Sequence, residues 1–189
     1  MSLPLKSTEW IDWQQRYCCP AIKGLMPAPT LWDPDASLRS SAVLLLFLAG
    51  LSEGEPVRVL FTKRSEHVRT HKGQIGFPGG RRESQDHDPI ATALREAEEE
   101  IGLAPTDVQI LGALPSVKAL DLQAVIPIVA CTTKDIADFS QDSSEVAAIF
   151  GIPWLYLTDQ QSQNFEFNVF GKWRKTQVYS FDGHHVWGL

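Results

Sequence analysis

The sequence predicts an α/β or α+β domain, a mixed sheet accompanied by a few helices. Three observations carry that expectation. Short runs dense in Val, Leu, Ile and Phe recur along the chain and read as strands. One stretch, 90–101, has the helical period instead and stops at a glycine, Gly102. Neither an internal repeat nor a linker divides the 189 residues, a length that fits one domain with a substantial core. The apolar content of 43% and charged content of 21% suit a soluble globular chain.

Residues 1–38 read as an N-terminal arm. Within it 9–17 can form a short helix with Trp10, Trp13 and Tyr17 on one face, read as packing, after a Ser7 or Thr8 cap. Prolines at 20, 27, 29 and 34 then impose irregular structure. The arm is expected to lie over the domain or over a partner subunit, so a homodimer stays open. The domain itself spans 39–189. Its first strand is 40–48, followed by a turn at 50–56 and a second strand at 57–62. A basic loop, 63–72, leads to a short strand at 74–77, closed by Pro78-Gly79-Gly80. Beyond the helix, 108–114 and 122–130 are strands, Pro127 marking an edge or an irregularity. A polar loop, 134–144, precedes a strand at 145–150 and a helical turn at 153–157. Two more strands, 164–167 and 175–181, flank a turn at Gly171. The chain stops within an apolar stretch, so either a terminal strand tucks in there or a covering element is missing.

Composition excludes several roles. A net charge of −6 opposes binding of a nucleic-acid backbone and of an anionic membrane surface. The apolar run 42–50 is too short to span a bilayer. No basic region followed by an apolar run suggests a secretory leader. Cys18, Cys19 and Cys131 lack zinc-like spacing and read as reduced thiols. A cytoplasmic protein is the expectation.

The helix carries the chemistry. At about 100° per residue, Ile90, Leu94, Ala97 and Ile101 share one apolar stripe, while Glu96, Glu99 and Glu100 group on roughly the opposite side. Glu96 and Glu100 are like charges at i, i+4, which costs about 0.2–0.5 kcal/mol on a free helix. Such a cluster becomes favourable when a hard divalent cation, most commonly Mg²⁺, neutralises it. Arg95 cannot be a ligand, but it can pair with Glu99 and orient it. Gly79 and Gly80 let the preceding loop approach closely, and Asp86 can tie that loop down or add an outer ligand. The basic segment with Lys63, Arg64, Arg69, His71 and Lys72 suits a substrate with several phosphates beside such a metal cluster.

Arg95-Glu96-Ala97-Glu98-Glu99-Glu100-Ile101-Gly102-Leu103 resembles the second half of the Nudix hydrolase signature, Gly-X5-Glu-X7-Arg-Glu-apolar-X-Glu-Glu-X-Gly-apolar. From Gly80 to Arg95 the chain has one residue more than that signature, and Asp86 stands where the first Glu would be. Upstream, Leu60-Phe61-Thr62-Lys63-Arg64-Ser65, Arg69, Gly73 and Phe77-Pro78-Gly79-Gly80 resemble the pattern of the coenzyme A pyrophosphatase-like subgroup, departing only at Phe61. More weakly, Glu145-Val146 through Pro153 resembles a downstream segment of such proteins. Val186-Trp187-Gly188-Leu189 resembles the start of a C-terminal helix, which this chain is expected to lack.

The resemblance implies an α/β/α sandwich around a mixed sheet and a metal-dependent enzyme using Mg²⁺ or Mn²⁺. It implies Glu96, Glu99 and Glu100 as metal ligands, Arg95 as their orienting partner and Gly80 as the loop pivot. The implied reaction splits the pyrophosphate of coenzyme A or its derivatives into 4′-phosphopantetheine and 3′,5′-ADP. Arg64, Arg69 and Lys72, with the Gly79-Gly80 loop, are the candidates for holding that small-molecule substrate. Glu145 is nominated as general base, with Glu98 and Glu100 behind it. The alternatives are a Nudix pyrophosphatase for another nucleoside diphosphate, such as ADP-ribose or NADH, and a non-catalytic nucleotide-binding regulator.

Other residues read more plainly. His184 and His185 would face opposite ways in a strand and make a poor metal pair. His71 and His87 read as solvated or loop-anchoring, Glu98 as a salt-bridge partner, and Phe165, Phe167, Phe170 and Trp173 as packing.

Overall fold

The computed structural model describes residues 25–29, 32, 40–48, 55–68, 70–119, 124–159, 162–169 and 172–187. The aromatic helix expected at 9–17, most of the arm, Arg69, Phe170 and the turn at Gly171 lie outside them.

The centre of the domain is β1 (Ser41–Leu48), whose side chains are buried on both faces. Its even-numbered residues Ala42, Leu44, Leu46 and Leu48 enter one core, and Leu45 and Phe47 enter the other. This is the uninterrupted apolar run of a strand covered on two sides. On one flank β1 pairs in parallel with β7 (Ala124–Thr132) along its whole length. On the other it is shared. The end near Leu48 pairs with β2 (Arg58–Arg64) and the start, Ser41 to Val43, pairs with β4 (Gly79–Arg81). Between them the Leu44 amide donates to the Pro78 carbonyl at 2.8 Å. This fork in the ladder sets the glycine pair against the middle of the sheet.

The other strands are antiparallel additions. β3 (Ile75–Gly76) and β8 (Val146–Pro153) pair with β2, while β5 (Gln109–Ala113) and β6 (Val117–Lys118) pair with β7. One parallel pair among antiparallel ones makes the sheet mixed, as expected. Pro127 lies in an interior strand, between the stretches of β7 that pair with β5 and with β6. It falls where β5 has ended, and its carbonyl accepts from the Leu114 amide at 2.9 Å. The missing N–H faces that same side, away from β1, so the parallel ladder with β1 is not interrupted.

Helix α1 (Pro89–Ile101) packs on one face of this sheet, with Ala93, Ala97 and Ile101 fully buried in the first core. Asp88 caps it by accepting from the Ala91 amide at 2.7 Å, and proline occupies the first turn. Gly102, at φ 66°, ends it, donating to the Glu98 carbonyl while Leu103 donates to that of Ala97. The second face carries α2 (Trp154–Thr158) and a small sheet, β9 (Gln163–Val169), β10 (Lys172–Phe181) and β11 (His184–Trp187). Trp154, Tyr156, Tyr179, Phe181 and buried Val186 complete the second core. The result is an α/β fold with a mixed sheet flanked by helices.

Three expectations need correction. Pro78-Gly79-Gly80 does not simply close a strand, because Gly79 and Gly80 belong to β4. Phe165 and Trp173 do not pack: they are 56% and 72% exposed on the β9–β10 hairpin. Glu98 is exposed and forms no ion pair among the described residues. The terminal segment does tuck in as β11, with His184 stacked on Phe150 and His185 bonded to Ser180. Among the described residues, no helix is long and apolar enough to cross a membrane.

Candidate active site

The site forms where the C-terminal half of α1 crosses the fork in the sheet. Gly79 and Gly80 are required there for different reasons. Gly79 has φ +149° and lies so near β1 that a Cβ would collide with the Ala42 carbonyl and the Val43 backbone. At Gly80 a Cβ would instead meet the Glu96 carboxylate. One glycine therefore seats the loop on the sheet and the next leaves room for an acid.

Glu100 is the most deeply set of these acids, its side chain only 4% exposed. Its place opposite the apolar stripe does not leave it in solvent, because the crossing over β4 covers it. Its Oε2 accepts from the Gly79 amide at 3.2 Å and its Oε1 from Arg64 Nη1 at 3.2 Å. Burial pushes its carboxyl up to about 7, outweighing the Gly79 amide and Arg64, and the charges of Glu96 and Glu145 push the same way. Burial likewise raises Glu96 despite Arg95, with Glu99 and Glu145 adding to the shift.

Arg95 is held on many sides. It reaches Asp86 through Nε at 3.2 Å and Nη2 at 3.1 Å, Glu96 at 3.0 Å, Glu99 at 3.0 Å and the Arg81 carbonyl at 3.0 Å. Asp86, itself buried, also accepts from the Glu83 amide at 2.9 Å and the Thr92 hydroxyl at 2.8 Å. Burial alone would raise Asp86, but these donors together bring its carboxyl below the usual value. The extra residue between Gly80 and Arg95 is thus absorbed in the loop, and Asp86 makes the contact with Arg95. Thr92 went unremarked in the sequence; its sign is a hydroxyl one turn before Arg95, facing the loop.

Glu145 arrives from the far side. The 140–142 segment runs beside the end of α1, with the Ser140 and Asp142 amides donating to the Ile101 and Glu100 carbonyls at 3.1 Å each. The chain then turns, and the Glu145 carbonyl accepts from the Ser65 amide at 2.7 Å. Its exposed carboxylate is near enough to act electrostatically on Glu96 and Glu100. Among the described residues no three acids, histidines or cysteines converge on one point. Glu96 and Glu99 face Arg95, whereas Glu100 faces Arg64 and Gly79. The donor set is nevertheless all carboxylate oxygen, the kind that Mg²⁺ and Mn²⁺ prefer, and the raised carboxyls mark a place short of positive charge.

The basic loop is only partly gathered. Arg64 is committed to Glu100, Lys72 is exposed on the turn between β2 and β3, and Arg69 lies outside the described residues. His71 bonds Gln74 at 2.8 Å and His87 approaches Asp88 at 3.2 Å, each anchoring its own loop.

A family model for the NUDIX domain matches residues 39–166. The chain is 34% identical over 171 residues to Nudix hydrolase 15, mitochondrial, of Arabidopsis thaliana, covering 86% of this chain and 59% of that protein. It is 37% identical over 133 residues to an uncharacterized Nudix hydrolase, NudL, of Yersinia enterocolitica, covering 69% of this chain and 67% of the relative. The chain therefore spans less than two thirds of the plant relative's length. The crystal structure of a Nudix hydrolase from M. smegmatis, RenU, matches with a TM-score of 0.52 at 20% identity, over 64% of this chain and 73% of that one. That likeness bears on the fold alone.

Proposed function

The chain belongs to the Nudix family, and on that premise we propose that it is a metal-dependent pyrophosphohydrolase of a nucleoside diphosphate-linked small molecule. The observation that carries the reading is the buried Glu100, placed with Glu96 against the glycine loop while Glu145 faces both. A carboxylate destabilised by burial and by its neighbours gains most from a bound cation. Glu96, Glu99 and Glu100 would hold Mg²⁺ or Mn²⁺, which supplies the charge that polarises a diphosphate towards attack by water.

The chain's own groups do the rest. Arg95 fixes the orientations of Glu96 and Glu99. Glu145, exposed and at the rim, takes the proton from the attacking water as the P–O bond of the diphosphate breaks. Lys72 and Arg69, from the basic loop, bind the remaining phosphates.

A narrower reading makes the substrate coenzyme A or its derivatives, cut to 4′-phosphopantetheine and 3′,5′-ADP. It is favoured by the pattern from Leu60 to Gly80 alone, and the names of the relatives carry no substrate. The test is kcat/KM with Mg²⁺ and with Mn²⁺ for ADP-ribose, NADH and coenzyme A. A preference for coenzyme A of about tenfold, or 1.4 kcal/mol, supports the narrower reading, and a smaller one rejects it. No turnover of any diphosphate rejects the hydrolase and favours a nucleotide-binding regulator.

A further inference from the structure

We infer that Arg64 is an internal counter-ion, occupying Glu100 until a divalent cation takes that carboxylate, and that its release hands the guanidinium to the anionic substrate. The inference rests on the hydrolase reading and deepens it, by assigning Arg64 two successive partners.

The geometry of the pair is the first argument. An arginine that serves only to neutralise a carboxylate commonly engages it through two parallel bonds. Arg64 makes one bond to Glu100, through Nη1 at 3.2 Å, at the long end of the usual range. Its Nε is buried and has no hydrogen-bond partner among the described residues. A buried donor left unpaired is costly and asks for an explanation. A guanidinium poised to turn towards a second, multidentate anion supplies one.

The second argument is the contrast with Arg95. That side chain donates to Asp86, Glu96, Glu99 and the Arg81 carbonyl, so movement would break several bonds at once. Among the described residues, the Arg64 side chain has one hydrogen bond to lose. Its backbone, in contrast, is fixed: the amide donates to the Gln74 carbonyl at 2.9 Å, and the ladder with β8 shifts register between Lys63 and Arg64. Only the side chain is free to change partner. The bulge directs it towards α1, where Glu100 lies.

The third argument is charge. Arg64 and a divalent cation compete for the same carboxylate and repel each other. Binding of the cation therefore favours a released Arg64, and an anion holding Arg64 favours cation binding. The two affinities must rise together and by the same factor. A fixed structural ion pair predicts no such linkage.

The test uses the full chain and two variants, R64A and R64Q, the second keeping hydrogen-bonding capacity without charge. Mn²⁺ alone is titrated by electron paramagnetic resonance, and an α,β-methylene nucleoside diphosphate, which cannot be cut at that bridge, is titrated by calorimetry with and without Mn²⁺. Both variants should bind Mn²⁺ at least tenfold more tightly than the wild type when no diphosphate is present. The wild type should bind the diphosphate at least tenfold more tightly with Mn²⁺ than without, and both variants should lose most of that gain. Unchanged or weaker Mn²⁺ binding by the variants, with the wild type binding Mn²⁺ and hydrolysing diphosphates, overturns the counter-ion role and leaves the hydrolase intact. A wild type that neither binds Mn²⁺ nor hydrolyses any diphosphate overturns both.

Discussion

Glu100→Gln should make the metal-free protein more stable at neutral pH while abolishing most of its activity. The folded-state pKa of Glu100 is about 7 against an ordinary 4.5. For a raised carboxyl, the stabilising contribution is fully present below pH 4.5 and is lost as pH rises through 7. The gap converts, at 1.36 kcal/mol per pKa unit, to an upper limit of roughly 3 kcal/mol. Glutamine carries no charge to desolvate and its Oε1 can still accept from Gly79, but its Nε2 then faces the Arg64 guanidinium, which gives back part of the gain. The variant should therefore match the wild type near pH 4.5 and exceed it at pH 8 by up to about 3 kcal/mol, a rise in Tm of at most roughly 6–12 °C. Urea unfolding in EDTA, followed by tryptophan fluorescence at the two pH values, measures this. Added Mn²⁺ should reverse the order by stabilising the wild type, by about 2.7 kcal/mol at a hundredfold excess over Kd, and the variant much less. A variant that unfolds more easily than the wild type at pH 8 in EDTA, or whose stability follows pH in parallel with it, would show that the buried carboxylate is a structural support.

Other perturbations separate the parts of the site. Gly79→Ala forces a Cβ into the β1 backbone at positive φ and should lower stability by roughly 1–3 kcal/mol, read as a fall in the denaturation midpoint. Gly80→Ala meets only a side chain and should hold its Tm within a few degrees while kcat drops at least tenfold. Asp86→Ala leaves Arg95 half buried without its main partner and should cost roughly 3 kcal/mol at pH 7. Because the Asp86 carboxyl is lowered, its contribution is present above pH 3.8 and fades as pH falls below that, so the variant and wild type should converge in acid unfolding curves. Glu145→Gln should reduce kcat by a factor of roughly 10²–10⁴ with KM little changed, and an unaltered pH–rate profile would remove it as the base.

Much of the sheet was readable because its strands are short, apolar and bounded by turn residues. β1, β2 and β5 begin and end within two residues of where the pattern puts them. The helix end was equally local, carried by Gly102, whereas the Asp88 cap at its start went unremarked. What the sequence concealed was set by tertiary crossings. Glu100 follows the polar side of a helical wheel, and only the passage of β4 over it makes it a buried acid. Arg64 reads as a free basic residue because its partner lies 36 positions away. Phe165 and Trp173 have the composition of a core and sit on a hairpin that projects beyond one. Asp86 was visible as a loop acid, but its four hydrogen bonds come from its own loop and from Thr92 and Arg95 of the helix, a convergence that its position in the chain does not announce.

The forked pairing of β1 also provides a built-in spectroscopic reporter. The peptide proton of Gly79 is directed at the Glu100 carboxylate, so its chemical shift and solvent-exchange rate should follow whatever that carboxylate holds. A single resonance, at the fork itself, would register an empty site, a protonated one and an ion-loaded one as three distinct environments.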